Sequence, residues 1–541
     1  MLRLHAKRSL LTLIPATAAL VACGGGGGGG GGGSTAAGGG SSSAPTWVQG
    51  QFAASSSFAA LCVTPRTGVD PITQQTYPDR AGTALDEKNW LRSWTNELYL
   101  WFDEVTDQDP SGFATDAAYF DVLKTTATTP SGKDKDRFHF TYPTATWESL
   151  SQTGVQPGYG ANFVIIAATP PRSVIVAYTE PGSPAASAPA SLARGTQILT
   201  IDGVDLVNAD DQASIDTLNA GLSPQTVGES HTFSVMDLGA SSARSVTLVS
   251  ADVTETPVQN VTTLPTATGL VGYMLFNDHV ATAESELVAA FNQLKSAGVN
   301  DLVLDIRYNG GGYLDIASEV AYMIAGPGPT TGQTFELDQF NSKNPTTNPI
   351  TQSALAPLGF HSTTQGFSLS AGQALPSLNL PRVYVLTTAS TCSASESIIN
   401  SLRGVGIQVI EVGVTTCGKP YGFYPADNCG VTYFSIEFKG VNAMSFGDYP
   451  DGFTPQNTVA TEGVLLPGCR VADDFEHVLG DPAEGQLASA LGYRSSGACP
   501  VPPSGVAPVS PLQTGAHASA NGVVIKPFWR QNRLYRGPAA P

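Results

Sequence analysis

The chain has 541 residues, 41% of them hydrophobic, which is enough material for two or three cores at roughly 100 to 200 residues per domain. Its 27 lysines and arginines face 45 aspartates and glutamates, a formal net charge of −18 at pH 7. This acidic excess argues against nucleic acid as a partner. Charged residues make up only 13% of the chain, which indicates a polar but weakly charged surface.

A short hydrophobic run lies near the start of the sequence. Arg3, Lys7 and Arg8 precede the apolar residues 10–22, which end in Leu-Val-Ala and are followed by Cys23. The charge order and the small-residue end are typical of a secretory signal, and the run is shorter than the roughly 20 residues that span a bilayer as a helix. The ending resembles a bacterial lipobox, which implies that Cys23 is acylated. An ordinary signal peptide with an incidental cysteine is the alternative.

A tether follows the predicted signal peptide of residues 1–22. Residues 24–45 are almost entirely glycine, serine and alanine, with too few apolar groups to bury. We interpret residues 23–58 as a flexible linker. The sequence therefore predicts an extracytoplasmic protein that is lipid-anchored to a bacterial membrane and faces the periplasm or the cell exterior.

Residues 59–150 are interpreted as an N-terminal helical domain. Large side chains recur at the spacing of one helix face, at Trp90, Trp94, Leu98 and Trp101. Such an apolar face more often packs in a core than contacts a substrate. Histidine titrates near neutral pH and is a common acid or base, but we assign His139 no catalytic role.

Residues 155–255 alternate short β-rich runs with turn signals, which predicts a small β-rich domain. The stretch at 181–186, followed by 195–203, resembles a PDZ domain, with Thr196 where an aspartate is usual. A PDZ groove adds a peptide strand to a sheet edge and holds the terminal carboxylate on backbone N–H groups. A degenerate domain that acts only as a spacer is the alternative.

The PDZ resemblance also implies which residues bind the peptide. The carboxylate-binding loop would be formed by Gly158, Tyr159, Gly160 and Phe163. With this loop the domain could select substrates by their free C-termini.

Residues 256–499 predict an α/β core, because strands and amphipathic helices alternate there. The pattern indicates a strand over 269–276, a helix over 284–294 and a strand that begins at Asp301 and ends in three glycines. The second strand leads into Asn309 and three glycines, and a helical pattern follows. Such a glycine loop lets backbone N–H groups approach a ligand closely.

Ser393 lies at the next junction between a strand and a helix. Residues 383–386 read as a buried strand and residues 395–402 as a helix. A serine at this junction points its hydroxyl at a helix N-terminus, where unpaired N–H groups and the helix dipole can stabilise an oxyanion. The N–H of Ala394 is the nearest candidate donor.

Lys419 follows a further predicted strand, residues 407–412, so its amine could reach the serine hydroxyl. A buried lysine with a lowered pKa can act as the base that activates a serine. A Ser-Lys pair is therefore chemically sufficient for acyl transfer. Taken singly, Ser393 could be a helix N-cap and Lys419 a solvated loop residue.

The order of these motifs resembles that of the S41 peptidases, the C-terminal processing or tail-specific protease family. The Asn-Gly-Gly loop, the Ser-Ala-Ser-Glu of residues 393–396 and the Gly-Lys pair of residues 418–419 occur in the family's order. The likeness extends from about residue 84 to residue 480. It implies a ClpP/crotonase-like α/β core with an inserted PDZ-like domain and an N-terminal helical domain that covers the active site.

The resemblance assigns roles to individual residues. Ser393 corresponds to the nucleophile, Lys419 to the general base and Glu396 to a supporting acidic residue. The oxyanion hole would take the N–H groups of Ala394 and of a glycine in the pair Gly310 and Gly311. Many members place a glutamine four residues after the lysine to orient it, and this chain has Phe423 there.

These roles predict a serine endopeptidase that acts on proteins or peptides. The alternative is a catalytically silent, membrane-tethered peptide-binding scaffold, which the departures at Phe423 and Cys392 motivate. A silent scaffold has no need of both Ser393 and Lys419, which favours the enzyme. Hydrolysis of a non-peptide acyl substrate is a third candidate.

Six cysteines besides Cys23 form an even set suited to disulfides in an oxidising compartment: Cys62, Cys392, Cys417, Cys429, Cys469 and Cys499. Sequence does not choose among the fifteen pairings. Cys417 and Cys429 are the first candidate pair, because they flank a turn-rich segment and would brace the loop that carries Lys419. With no CxxC pair and no HExxH motif, no metal or cofactor is expected.

The last segment, residues 500–541, is rich in proline, glycine and alanine. Three arginines, Arg530, Arg533 and Arg536, lie near its end. The composition predicts a weakly ordered tail, and its function is not readable from the sequence.

Overall fold

The computed structural model describes residues 47–458, 463–500 and 533–535. The predicted signal, the lipidation candidate Cys23 and most of the predicted linker lie outside this range. Among the described residues, no helix has the length and apolar character needed to cross a bilayer.

The N-terminal region combines one long helix with short strands and turns. Its regular elements are β1 (Leu61–Cys62), β2 (Arg80–Ala81), α1 (Ala84–Leu98), α2 (Asp116–Phe120), β3 (Phe140–Pro143) and α3 (Thr144–Glu148). Single 3-10 or π turns lie at Ser55–Ser57, Phe102–Glu104, Pro110–Gly112 and Ser149–Thr153.

The helix predicted from the aromatic spacing is confirmed as α1. The hydroxyl oxygen of Thr83 accepts a backbone N–H of the first turn, which fixes where the helix begins. Trp90 and Trp94 are buried and stack with ring centroids 5.1 Å apart, so this face packs in the core. Trp101 lies beyond the helix end and packs edge-on against Tyr421 at 4.8 Å.

The next region is mostly antiparallel sheet. Its elements are β4 (Val155–Gly158), β5 (Ala161–Ala167), β6 (Ser173–Thr179), β7 (Gln197–Ile201), β8 (Val204–Asp205), α4 (Gln212–Leu222), β9 (Ser230–Met236), β10 (Arg244–Val249) and β11 (Ala251–Thr254). The sheet has the order β10-β9-β7-β6-β5, with β8 paired to β7, so β5 is an edge strand. The first and last strands, β4 and β11, pair with each other as a separate antiparallel ribbon.

The remaining region alternates strands and helices. Its elements are β12 (Val258–Thr266), β13 (Gly269–Phe276), α5 (Ala283–Ala297), β14 (Asp301–Asp305), β15 (Gly311–Tyr313), α6 (Leu314–Ala325), α7 (Pro327–Thr330), β16 (Thr334–Phe340), β17 (Leu358–Gly359), β18 (Arg382–Thr387), α8 (Ala394–Gly404), β19 (Gln408–Gly413), β20 (Tyr421–Gly422), β21 (Ala426–Asn428), β22 (Val431–Phe434), β23 (Phe438–Val441), β24 (Phe453–Pro455), β25 (Val464–Leu466), β26 (Gly468–Arg470), α9 (Gly485–Ser496) and β27 (Arg533–Tyr535). The strands and helices predicted around Asn309, Ser393 and Lys419 are confirmed as β14, β18, β19, α5, α6 and α8.

A six-stranded sheet of order β12-β13-β14-β18-β19-β26 forms the centre of this region. Only β12 runs antiparallel to its neighbour, and the other pairings are parallel. Apolar residues of α5, α6 and α8 cover one face and residues of α9 cover the other. The fold is therefore mixed α/β, and the carboxyl ends of β13, β14, β18 and β19 meet at one edge of the sheet.

Smaller sheets surround the central one. Strands β17-β16-β23-β20 form one sheet, and β21-β22-β3 form another, so the N-terminal region pairs directly with the α/β region. Strand β24 pairs with β25, and β15 pairs in parallel with β27. The segment predicted as a weakly ordered tail thus contributes a strand.

The predicted Cys417–Cys429 bond is wrong. Cys417 is joined to Cys392, and Cys429 is joined to Cys62, with Cα–Cα distances of 5.2 and 5.4 Å. Cys469 pairs with Cys499. The loop that carries Lys419 runs beside the end of β18, whereas Cys429 lies in the turn between β21 and β22 beside the N-terminal region, so proximity in sequence was a poor guide.

Candidate active site

Ser393 is the last residue before α8, in the loop that follows β18. Its backbone has φ 61° and ψ −118°, a conformation that non-glycine residues adopt only when their surroundings impose it. Here the neighbouring loop is fixed to the end of β14: the Thr391 hydroxyl donates to the C=O of Ile306 at 2.9 Å, and the N–H of Cys392 donates to the C=O of Asn309 at 3.1 Å.

The hydroxyl of Ser393 is fully buried and has no hydrogen-bond partner among the described residues. A buried polar group without a partner is costly, so such groups in folded proteins often mark functional positions. The N–H of Ala394 belongs to the first turn of α8, where the helix itself leaves it unpaired. A hydroxyl and an available donor therefore lie together at the positive end of a helix.

Lys419 is also fully buried, in the loop after β19. Its Nζ lies 4.1 Å from the ring centroid of Phe423 and 5.1 Å from that of Phe138. Burial lowers the pKa of Lys419 well below the usual value for lysine, and the negative charges of Asp136 and Glu396 only partly oppose the effect. A neutral amine, the form needed in a base, is favoured there.

Several contacts hold the lysine loop in place. Gly418 has φ 85°, and a Cβ at this position would collide with the C=O of Pro450, so only glycine fits. Arg137 donates from its guanidinium to the C=O groups of Cys417 and Gly418. The N–H of Cys417 donates to the C=O of Thr391 at 3.0 Å, which ties this loop to the loop of Ser393.

The carboxylate of Glu396 joins the two loops directly. Its Oε2 accepts the backbone N–H of Ser393 at 3.0 Å and that of Lys419 at 2.8 Å. Its Oε1 accepts the N–H of Gly418 at 2.8 Å and the hydroxyl of Thr416 at 2.5 Å. Burial raises the pKa of Glu396, and these four donors oppose that rise because they favour the ionised form.

The glycine loop after β14 presents one available N–H rather than two. The N–H of Gly311 donates to Oδ1 of Asn309 at 2.9 Å, whereas the N–H of Gly310 has no partner among the described residues. Of the two glycines expected at an oxyanion hole, Gly310 is therefore the available donor. The hydroxyl of Ser395 also donates to the C=O of Asn309, at 3.1 Å, so this loop lies against the start of α8.

His279, which the sequence interpretation missed, supports the same loop. It is fully buried, and burial lowers its pKa to about 3, so the ring is neutral at physiological pH. The ring Nδ1–H of His279 then donates to Oδ1 of Asn309 at 2.9 Å, and the backbone N–H of His279 donates to the C=O of Gly311 at 3.2 Å. The position of His279, shortly after β13, was the available signal, because the ends of parallel strands converge.

His139 is buried against Phe120. Its Nε2 lies 2.9 Å from the C=O of Phe120, and its ring stacks on the Phe120 ring at a centroid distance of 3.7 Å. These contacts are consistent with the structural role expected for it.

The residues expected to bind a peptide carboxylate divide into two groups. Gly158 and Gly160 line a pocket that also includes Gly310 and Gly311, so the two predicted backbone-donor loops face one space. Tyr159 and Phe163 instead pack into the sheet's own core around Phe233. The same pocket includes Asn277, a buried residue whose side-chain amide has no partner among the described residues.

In the part of the chain that the structure describes, two clusters of cysteine and glutamate lie close enough to suggest metal ligands. They are Cys62, Glu87 and Cys429, and Cys392, Glu396 and Cys417. In both clusters the two cysteines are bonded to each other, which removes the thiolates that a metal would need.

Part of this chain is similar to known peptidases. Residues 269–422 match the model of peptidase family S41. A carboxyl-terminal-processing protease of Picosynechococcus sp. is 28% identical over 199 residues, which are 36% of this chain and 44% of the relative. The match thus spans less than half the length of that curated relative.

Two solved structures are also similar to this chain. A candidate S41 protease from Bacteroides fragilis NCTC 9343 has a TM-score of 0.56 at 22% identity, over 78% of this chain and 99% of that one. A photosystem II D1 C-terminal processing protease has a TM-score of 0.40 at 19% identity, over 72% and 94%.

The family match and the shared α/β fold make this chain similar to the peptidases of family S41. The residues that match this family, 269–422, include the loops of Asn309, Ser393 and Lys419.

Proposed function

We propose that this protein is a serine endopeptidase that hydrolyses peptide bonds of extracytoplasmic proteins. Ser393 is the nucleophile and Lys419 the general base. The N–H groups of Ala394 and Gly310 bind the oxyanion, and Glu396 positions both loops. Of the oxyanion residues expected from the sequence, Gly311 instead acts through its bond to Asn309.

One observation carries the proposal. A single carboxylate oxygen of Glu396 accepts the backbone N–H groups of both Ser393 and Lys419, at 3.0 and 2.8 Å. The loop of a buried lysine is thereby tied to the loop of a buried serine, whose hydroxyl has no hydrogen-bond partner among the described residues. Ionisable groups with strongly shifted pKa values are found disproportionately at catalytic sites.

The chemistry follows from these positions. The amine of Lys419 takes the hydroxyl proton as Ser393 Oγ attacks the peptide carbonyl carbon. The negative charge that develops on the carbonyl oxygen is stabilised by the two backbone N–H groups. When the C–N bond breaks, the lysine returns its proton to the leaving amine. Water then hydrolyses the acyl-enzyme with the same lysine as base.

The test uses the protein alongside a Ser393→Ala variant. Both are incubated with an unfolded protein, and the products are identified by mass spectrometry. The proposal expects fragments from the parent and none from the variant. Equal cleavage by both would exclude Ser393 as the nucleophile. Binding of peptides without cleavage by either would favour a catalytically silent scaffold.

We further propose that the sheet containing β5 acts as a PDZ-like domain that delivers substrates, including those with free C-termini. Strand β5 is an edge strand, which is the element that such domains offer to a peptide. The pocket shared by Gly158, Gly160 and Gly310 supports this role, because it gives a bound peptide a route toward the candidate oxyanion hole.

An extracytoplasmic location with a lipid anchor at Cys23 is part of the same proposal. Three disulfide bonds join the six cysteines of the described residues, and such bonds persist in oxidising compartments. Metabolic labelling with a fatty acid, compared between the parent and a Cys23→Ala variant, tests the anchor. Label that remains on the variant would exclude this site.

A further inference from the structure

A strand from near the end of the sequence lies against the glycine loop of the candidate site. Strand β27 pairs in parallel with β15, with Gly311 opposite Arg533, Gly312 opposite Leu534 and Tyr313 opposite Tyr535. In sequence, the two paired strands are separated by most of the α/β region. The contact is therefore a long-range one made by backbone groups.

The other edge of β15 shows which backbone groups face this strand. His279 donates its N–H to the C=O of Gly311, and the N–H of Tyr313 donates to the C=O of His279 at 2.9 Å. Gly312 approaches His279 so closely that a Cβ there would lie 2.5 Å from the His279 carbonyl oxygen. Because successive residues of a strand alternate their hydrogen-bonding edges, the N–H and C=O of Gly312 point at β27.

The parallel register then defines the bonds on that edge. The C=O of Arg533 faces the N–H of Gly312, and the N–H of Tyr535 faces the C=O of Gly312. This is the way in which an extended peptide adds to a free sheet edge.

Strand β27 lies between the two halves of the candidate site. On one side β15 packs against α8, whose first turn follows Ser393. On the other side β27 lies beside β20, which begins two residues after Lys419. A peptide that approached the serine along β15 would meet this edge already occupied.

The segment that occupies this edge is basic. The segment around β27 has the sequence Arg-Gln-Asn-Arg-Leu-Tyr-Arg over residues 530–536, with three arginines and no acidic residue. The protein as a whole is strongly acidic, so this basic segment is a local exception.

We propose that the edge of β15 at Gly312 is a strand-addition site for an extended, basic peptide segment, and that Arg533–Tyr535 occupies it and restrains the protein's own activity. The restraint rests on the proposed peptidase function, whereas the occupancy of the edge does not.

The test compares the full chain with Tyr535→Pro, which removes the N–H that faces Gly312, and with Ala540→Pro as a matched control outside the paired strand. Hydrogen exchange of the segment that contains Gly312 is followed by mass spectrometry. The amide of Gly312 should exchange at least fivefold faster in Tyr535→Pro and at the parent rate in Ala540→Pro. Equal exchange in all three proteins would overturn the proposal.

A second measurement addresses the restraint. The rate of hydrolysis of an unfolded protein should rise roughly fivefold in Tyr535→Pro. Loss of one backbone hydrogen bond weakens the contact between β27 and β15 by about this factor, so a substrate competes better for the edge. A synthetic peptide of residues 528–541 should return that rate toward the parent value. Faster hydrogen exchange of the Gly312 segment with an unchanged rate of protein hydrolysis would overturn the proposed restraint of activity.

A binding measurement separates this proposal from the peptidase function. If no variant hydrolyses protein, the labelled peptide of residues 528–541 is titrated by fluorescence anisotropy against the parent and Tyr535→Pro. About fivefold tighter binding to Tyr535→Pro supports occupancy of the edge even though the peptidase function has failed. Equal binding to both proteins overturns it.

Discussion

The side-chain nitrogen of Lys419 lies 4.1 Å from the centre of the Phe423 ring, at the position where many S41 peptidases have a glutamine. The ring is completely buried, so it keeps water from the amine. In this chain the lysine is positioned through its backbone, by Glu396, and its side chain is surrounded by aromatic groups. The absence of the glutamine is therefore compatible with a catalytic lysine.

Replacing Phe423 tests this arrangement. Phe423→Gln introduces a polar amide beside the lysine and should raise its pKa, because the surroundings then solvate the ammonium form better. The rising limb of the activity-against-pH profile should move to higher pH by about one unit. Phe423→Leu preserves the apolar surroundings and is the control, with the profile expected to stay in place. A profile that does not move in Phe423→Gln would exclude this role for the ring.

The pH dependence of the parent follows from the lowered pKa of Lys419. Only the neutral amine is a base, so activity is lost as pH falls through that pKa and rises to a plateau above it. The midpoint should lie well below the ordinary lysine value of about 10.4. Steady-state kcat/KM measured across pH checks this.

The pKa of the Glu396 carboxyl is also raised, so its ionisation is a second explanation for a rise of activity with pH. The temperature dependence of the midpoint distinguishes Lys419 from Glu396. Ionisation of an amine has a much larger enthalpy than that of a carboxylic acid, so a midpoint that falls markedly on warming identifies the lysine. A midpoint that does not change with temperature would assign the limb to a carboxylate. Lys419→Arg, whose side chain stays charged, should lower kcat by about 10²- to 10⁴-fold at every pH.

Glu396→Gln should damage the site while preserving its size. The amide has one acceptor oxygen in place of two, and its NH₂ would face backbone donors, which leaves buried N–H groups unsatisfied at about 1–3 kcal/mol each. We expect lower thermal stability and a fall in kcat of at least tenfold, because the loops of Ser393 and Lys419 lose their shared acceptor.

Glu411→Gln is the matched control. Glu411 is also fully buried, but burial raises its pKa well above the usual value, and among the described residues its carboxyl group accepts only the Thr387 hydroxyl, at 3.1 Å. The shift favours the protonated form, which glutamine imitates. Calorimetry and initial rates should show little change in Glu411→Gln. A Glu396→Gln variant as stable and as active as this control would contradict the positioning role.

Physical reasons explain why some residues of the candidate site could be predicted from the sequence and others could not. Ser393 and Lys419 were identifiable because each follows a strongly apolar strand, and adjacent parallel strands bring their carboxyl ends together. His279 was missed because only its position after β13 hinted at a role, and its importance arises from contacts with Asn309 and Gly311. The disulfide partner of Cys417 was missed for a similar reason, since long-range pairing depends on how the loops cross.

The disulfide between Cys392 and Cys417 joins the residue before the candidate nucleophile to the loop of the candidate base. Replacing both cysteines by alanine should reduce stability by about 3 kcal/mol in the chain-entropy account of disulfides. It should also reduce kcat severalfold, because the two loops can then move apart. Initial rates per folded molecule and thermal unfolding measure the two effects.

The Cys469–Cys499 bond provides the control for that experiment. Its sequence separation is 30 residues against 25 for Cys392–Cys417, so both bonds restrict the unfolded chain to a similar degree. It joins β26 to the residues after α9, on the face of the central sheet opposite α8. Alanine at Cys469 and Cys499 should therefore lower stability by a comparable amount and leave kcat unchanged. Equal losses of kcat in the two double variants would show that the Cys392–Cys417 bond acts through stability alone, whereas a loss confined to Cys392 and Cys417 would assign it to the geometry of Ser393 and Lys419.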